Sequence, residues 1–422
     1  MRNRSSHRRR PRLRARRFVL ITLLALMAPV MTPATVATAA PPNHGTPPIT
    51  SRPAAAALAV ACGPAGESAP TETPWPLRRL DPHSVWPLTQ GEGVVVAVID
   101  SGVSANHPAL AGQVLPGRDY NLPEHGGRCD EVGHGTLIAG IIAGRPGTGA
   151  PFSGIAPKAQ ILPVRVLRDA EHTRDESLPD TIAAAIRWAV DNGADVINLS
   201  LETTIPTEAL ANAVAYARER DVVLVAAAGN QKADQQRHLP AYPAGYQSVI
   251  AVAGIDEQGQ HVDTSISGDY IDVAAPGLEI QGPAPQGKGY RTETGTSYAT
   301  AYVSGVAALI RARHPNLSAD AVARRIRYTA DSPPEGRNSQ VGYGVVNPYR
   351  AVNATLGSRS NPPLEALAPP APPADPQATA KTIAILAAVS GVVVAVLLLL
   401  AAPVLRRGRR RGWAVASTPQ RS

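Results

Sequence analysis

Val94-Val-Val-Ala-Val-Ile99 is an unbroken apolar run, mostly β-branched, and it closes on Asp100-Ser-Gly102. A strand with one wet face alternates apolar and polar residues. A run without polar residues fits a strand covered on both faces, as in a parallel sheet. Ile161–Leu167, Val196–Leu199, Val222–Ala227 and Val249–Ala253 have the same character and are nearly unbroken by polar residues. Between them, Thr181–Asp191 places Ile182, Ala185, Ile186 and Ala189 on one helical face, and Gly193 stands where a C-terminal cap belongs. Glu208–Arg220 and Ser318–Ala330 repeat that pattern, with Ser318 as an N-cap. Alternating strands and helices predict a three-layer α/β domain with a mainly parallel central sheet, spanning residues 75–356.

The two ends have a different composition. Residues 2–17 carry nine arginines and no acid; Phe18 to Val30 is apolar, and Ala37-Thr-Ala39 offers small residues for cleavage. Residues 1–39 therefore read as a signal peptide, with an uncleaved anchor as the alternative. Residues 40–74, rich in Pro, Ala, Gly and Thr, read as an extended arm. It is too short for a compact prodomain, so it is expected to stay attached beside His134 without blocking the cleft. Residues 357–381 form a Pro-rich stalk. Ile383 to Leu405 is apolar and uncharged, so residues 382–405 are expected to be a transmembrane helix, a buried core helix being the alternative. The arginines of 406–422 place that tail in the cytoplasm and the domain outside.

The formal charge is +8, but nine arginines precede the first apolar run and six follow the last; removing these fifteen from +8 leaves −7. A nucleic-acid partner needs a basic face on the folded domain, and none is indicated. Two cysteines, Cys62 and Cys129, in an exported chain favour a disulfide. No paired metal-ligand spacing accompanies His125 or His134, and no loop of calcium-type oxygen ligands is visible. No cofactor is expected.

Asp100, His134 and Ser297 sit in Val98-Ile-Asp-Ser-Gly102, Gly133-His-Gly-Thr136 and Gly295-Thr-Ser-Tyr-Ala299. A serine hydroxyl needs a base within hydrogen-bond reach, and a carboxylate fixes that base's tautomer. Asp100 leaves a strand at its carboxyl end, the edge where α/β sheets assemble sites. The glycines beside His134 are expected to let a substrate backbone approach. Ser297 precedes a helix candidate, Tyr298–Arg313, whose N-terminus favours negative charge. Asn230, closing Ala226-Ala-Ala-Gly-Asn230, fits as the second donor to an oxyanion.

Aspartate, histidine, serine is the chain order of a subtilisin-type triad. With Gly154-Ile-Ala-Pro157 and Val345-Val-Asn347 in support, residues 75–356 resemble the subtilase family of serine endopeptidases. The resemblance implies a triad of Asp100, His134 and Ser297, Asn230 in the oxyanion hole, and substrate contacts from Ser200-Leu-Glu202 and Ala228-Gly229. Glu202 replaces the family's usual glycine, and Ala301 its proline four residues past the serine, a change expected to shift the helix slightly.

The layout resembles that of the mycosins, subtilases of actinobacterial type VII secretion, more closely still. It shares the cysteine-bearing arm, Arg79-Leu and Val85-Trp-Pro87, the Pro-rich stalk and a single C-terminal span. That likeness implies a protein or peptide substrate, a membrane anchor and a partner in a membrane secretion complex. A structural role in that complex with little proteolysis is the second reading. An esterase is disfavoured because the serine lacks a Gly-x-Ser-x-Gly elbow.

Overall fold

The computed structural model describes residues 62–147, 149–168, 177–231, 240–356 and part of 390–410. The helical segment α1 (Trp75–Leu80) is followed by β1 (Val95–Asp100), β2 (Arg118–Asp119), α2 (His134–Ala143), β3 (Gln160–Arg165), α3 (Leu178–Asp191) and β4 (Val196–Leu199). Then come α4 (Glu208–Glu219), β5 (Val223–Ala227), β6 (Val249–Ile255) and β7 (Val273–Pro276). A two-stranded unit, β8 (Ile280–Pro283) and β9 (Tyr290–Glu293), leads to α5 (Thr296–Arg313), α6 (Ala319–Thr329) and α7 (Pro348–Asn353).

Seven strands form one sheet in the order β2-β3-β1-β4-β5-β6-β7, and every pairing among them is parallel. The expected mainly parallel sheet is what the apolar runs make. Val96 and Val98 of β1 pack with residues of α2, α5, α6 and α7, whereas Ala97 and Ile99 pack with α3 and α4. Successive side chains of a strand point to opposite faces, so a run apolar at every position is what two covering helix layers require. The chain leaves β1 for β2 and β3 on one side and returns to β4 on the other. That reversal opens a crevice at the carboxyl ends of β1 and β4, where α/β sheets build their sites.

The helices begin and end close to their predicted limits, for identifiable reasons. Ser318 caps α6, its hydroxyl accepting from the Ala321 amide at 3.2 Å, and Thr207 caps α4 through the Leu210 amide. Gly193 follows α3 at φ +81°, the left-handed conformation that a chain leaving a helix often needs. Helix α5 starts two residues earlier than predicted, at Thr296, and runs unbroken through Ala301. Ser297 is thus inside its first turn rather than before it.

The short β2, β7 and the antiparallel β8–β9 pair carry no long apolar run and were not predicted. The described end of the arm joins β9: Glu67 and Tyr290 exchange N–H···O bonds of 2.8 and 3.0 Å. Cys62 is bonded to Cys129, 67 residues on. A cross-link over that separation is worth about 4 kcal/mol on the chain-entropy model. A Cys62→Ser, Cys129→Ser double variant is expected to lose that much stability, read as an earlier midpoint in urea unfolding.

The signal peptide of 1–39 and the stalk of 357–381 lie outside the described residues. So does most of 382–405; its described positions are helical. Among described residues no helix is long and apolar enough to cross a membrane.

Candidate active site

Strand β1 delivers Asp100 to the crevice, fully buried. Its Oδ1 accepts from the Ser101 amide at 2.7 Å and the Ser101 hydroxyl at 3.1 Å. His134 opens α2, and its Nδ1 lies 2.7 Å from Asp100 Oδ1. A carboxylate acceptor places the imidazole proton on Nδ1 and leaves Nε2 as the lone-pair nitrogen. The His134 side chain is 16 % exposed.

The glycines flanking His134 admit the protein's own chain. A Cβ on Gly135 would lie 2.1 Å from the Gly102 carbonyl oxygen and 3.2 Å from Asp100 Cβ. One on Gly133, at φ +88°, would lie 2.2 Å from Arg291 Nη1. A side chain at 135 would press α2 away from the end of β1, and one at 133 would displace the Arg291 guanidinium and strain the left-handed backbone.

A second buried carboxylate, missed in the sequence, stands behind this pair. Asp130 Oδ1 accepts from the Ser101 hydroxyl and the Gly133 amide at 2.8 and 2.7 Å; Oδ2 accepts from the Thr136 amide and hydroxyl at 2.8 and 2.6 Å. Ser101 Oγ therefore stands between the two carboxylates, its one proton available to either of them in turn, and accepts from the Gly135 amide at 3.0 Å. Asp130 caps the start of α2 as acids near helix N-termini do, and its place four residues before His134 was the available signal. Burial pushes its carboxyl up, against the hydrogen bonds that pull it down.

Burial alone would lower the His134 pKa. The charge and hydrogen bond of Asp100, with Asp130 and Glu293 further off, outweigh it, and the imidazole ends above its ordinary 6.5. The Tyr298 ring lies 5.4 Å from the imidazole, centre to centre, and covers one side of it.

Ser297 is the second residue of α5 and is buried. Its hydroxyl donates to the Ser200 carbonyl oxygen at 3.2 Å, and the Ser200 hydroxyl donates to the Ser297 carbonyl oxygen at 2.7 Å. Asn198 holds that hydroxyl at 2.9 Å and is held in turn by Ser304 at 2.9 Å. This buried chain of polar groups locks the end of β4 against the first turns of α5. Asn230 Oδ1 accepts from the Thr296 amide at 3.0 Å and the Thr296 hydroxyl at 3.2 Å. Two donors on the oxygen leave the side-chain NH2 as the group free to act as a donor.

His134, Ser297, Asn230, Ser200, Leu201, Glu202 and Gly229 all line one cavity of about 80 Å³. Of the predicted residues, Ala228 does not line it: its amide pairs with the Val252 carbonyl and its carbonyl accepts from the Tyr270 hydroxyl at 2.6 Å. Ala227, Leu167 and Leu178 line the cavity unpredicted. Cys62, His125 and Cys129 are the cluster of potential metal ligands among the described residues, but both sulfurs are taken by the disulfide.

A parallel sheet bearing an aspartate–histidine pair and a helix-borne serine at its carboxyl edge defines a class of serine hydrolase. The Subtilase family model matches residues 91–344, and the chain belongs to that family. It is a subtilase-type serine protease, related to mycosins. Thermitase of Thermoactinomyces vulgaris is 38% identical over 279 residues, covering 65% of this chain and 94% of thermitase. Mycosin-4 of Mycobacterium tuberculosis is 38% identical over 313 residues, 65% of this chain and 68% of that protein. A chain in the structure of an intact ESX-5 inner membrane complex superposes with a TM-score of 0.62 at 31% identity, covering 81% of this chain and 94% of that one.

Proposed function

We propose that this protein is a membrane-anchored endopeptidase that cleaves protein or peptide substrates through an acyl-enzyme, beside a type VII secretion complex. The observation that carries the chemistry is the 2.7 Å contact from His134 Nδ1 to buried Asp100, with His134 and Ser297 on one cavity. The Ser297 hydroxyl turns from the Ser200 carbonyl to His134 Nε2, which takes its proton as the oxygen attacks the scissile carbonyl. Hydrogen bonds of this kind tighten in the substrate complex. His134 becomes an imidazolium held by Asp100 and returns the proton to the leaving amine. Water then repeats the sequence on the ester.

Negative charge develops on the carbonyl oxygen. The Ser297 amide, in the first turn of α5, has no acceptor within its helix, and the Asn230 NH2 supplies a second donor. Asn230→Ala is expected to lower kcat by about 10²- to 10³-fold with KM little changed. A raised KM with kcat unchanged would assign Asn230 to substrate binding instead.

Membrane attachment rests on the apolar stretch of residues 382–405 with its basic tail, and secretion association on the likeness to a chain of the ESX-5 inner membrane complex. The same likeness favours a second reading, that the protein mainly stabilises such a complex. In both, the arm of residues 40–74 stays attached, the protease domain is extracytoplasmic and the tail cytoplasmic. Labelling by a fluorophosphonate tests the nucleophile. Replacing Ser297 by alanine in the living cell separates the two roles: secretion that survives this change but not deletion of the protein assigns the scaffold role.

A further inference from the structure

Asp130 is fully buried, and uncharged donors surround both of its oxygens. The Ser101 hydroxyl, the Val132 amide at 3.2 Å and the Gly133 amide meet Oδ1; the Thr136 amide and hydroxyl meet Oδ2. Burial pushes the carboxyl up, but every one of these neighbours favours the anion. A carboxylic acid there would have to turn one donor away. The hydrogen bonds of Asp130 are thus complete, while its charge is not neutralised. Nearby cations are engaged elsewhere. Arg165, the sheet neighbour of Asp100, pairs with Glu131 and Asp119, and Arg291 pairs with Glu293 and the Val132 carbonyl.

Facing the His134 imidazole are Asp100 of β1, Asp130, Glu293 and Arg291 of β9, and the Tyr298 ring of α5. Glu293 is partly exposed and is answered by Arg291. Asp130 is neither. Its Oδ1 lies 2.8 Å from Ser101 Oγ, which lies 3.1 Å from the Asp100 Oδ1 that holds His134 Nδ1 at 2.7 Å. One hydroxyl therefore separates two buried anions, and a neutral imidazole does nothing to offset their repulsion. The imidazolium formed when His134 takes the Ser297 proton attracts both. An attraction that exists only in the charged state lowers the barrier without tightening the substrate.

We propose that Asp130 is a positioning residue that acts through His134, its negative charge behind Ser101 stabilising the imidazolium during cleavage. The proposal rests on the reading of His134 as base and Ser297 as nucleophile. Its test compares Asp130→Asn, Asp130→Ser and Ser101→Ala with the wild type in kcat, KM and the pH dependence of kcat/KM. Both Asp130 variants lose the charge but keep an oxygen for the amides at the start of α2. Each is expected to lose about ten- to a hundredfold in kcat with KM unchanged. The acid limb moves to lower pH, less far than in Asp100→Asn, because the Asp100 charge acts more strongly on the ring. Ser101→Ala removes the hydroxyl and keeps both charges, so its acid limb stays at or above the wild-type position. An acid limb unmoved in Asp130→Asn and Asp130→Ser makes Asp130 a helix cap alone and overturns the proposal. A limb that falls in Ser101→Ala overturns it too, since the effect then lies in the hydrogen bond; this holds even where neither Asp130 variant folds. If fluorophosphonate labels a wild type whose acid limb ignores Asp130, this inference fails alone. If labelling is absent, the nucleophile assignment fails and this inference with it.

Discussion

Ser297→Ala is expected to lower peptide hydrolysis by roughly five to six orders of magnitude and to abolish fluorophosphonate labelling. The hydroxyl is the only part of the side chain removed, and its one polar contact is the Ser200 carbonyl. The fold therefore has little to lose: the Ser200–Ser297 link that holds β4 to α5 runs through the Ser297 backbone carbonyl. Urea unfolding should place the variant close to the wild type. His134→Ala should cost about as much activity, and the double variant scarcely more than either alone, because the two side chains act as a unit. Additive losses in the double variant would show that serine and histidine do not cooperate in one step, and the acyl-enzyme reading would be lost.

Asp100→Asn is expected to reduce kcat by about 10⁴-fold near neutral pH while leaving the backbone in place. An amide at this position can present its NH2 to Nδ1, which reverses the tautomer and turns a proton, not a lone pair, toward Ser297. It also removes the charge that raises His134. The base must be neutral to act, so wild-type activity is lost as pH falls through a value above 6.5. Without the carboxylate, burial, the largest single influence, dominates and the acid limb moves to lower pH. The measurement is the pH dependence of kcat/KM for both proteins; a limb that stays in place would exclude Asp100 as the cause of the shift. The same linkage sets a stability term. A folded-state pKa above the unfolded value contributes stability that is fully present below the unfolded pKa, near 6.5, and is lost as pH rises through the folded value.

Asp100, His134, Ser297 and Asn230 were legible because each occupies a short motif at the end of an apolar strand or beside the start of a helix, where local pattern and local geometry coincide. Asp130 was not. Its role depends on Ser101 and Thr136 meeting around it, and its place four residues before His134 does not by itself show that they will. Ala228 was expected, from the family resemblance, to contact substrate, but it does not line the cavity. The sheet takes it instead, since its amide has the Val252 carbonyl as a partner. The early start of α5 has a similar origin: Asn230, 66 residues away, receives the Thr296 amide and so holds the first turn.

Periodicity and composition by themselves determined the layered α/β class and the approximate helices, because burial on both faces of a strand leaves a continuous apolar record in the chain; the candidate reactive groups came from short motifs and their order. Only the tertiary structure decided the strand order, the joining of β9 to the arm, and the reason for glycine at 135 and 229. These depend on which atoms approach across long separations: Gly102 against Gly135, and the Glu202 carboxylate against Gly229. A sequence states what each position can do. The crowding of atoms brought together from distant parts of the chain determines which of those possibilities the fold can accommodate.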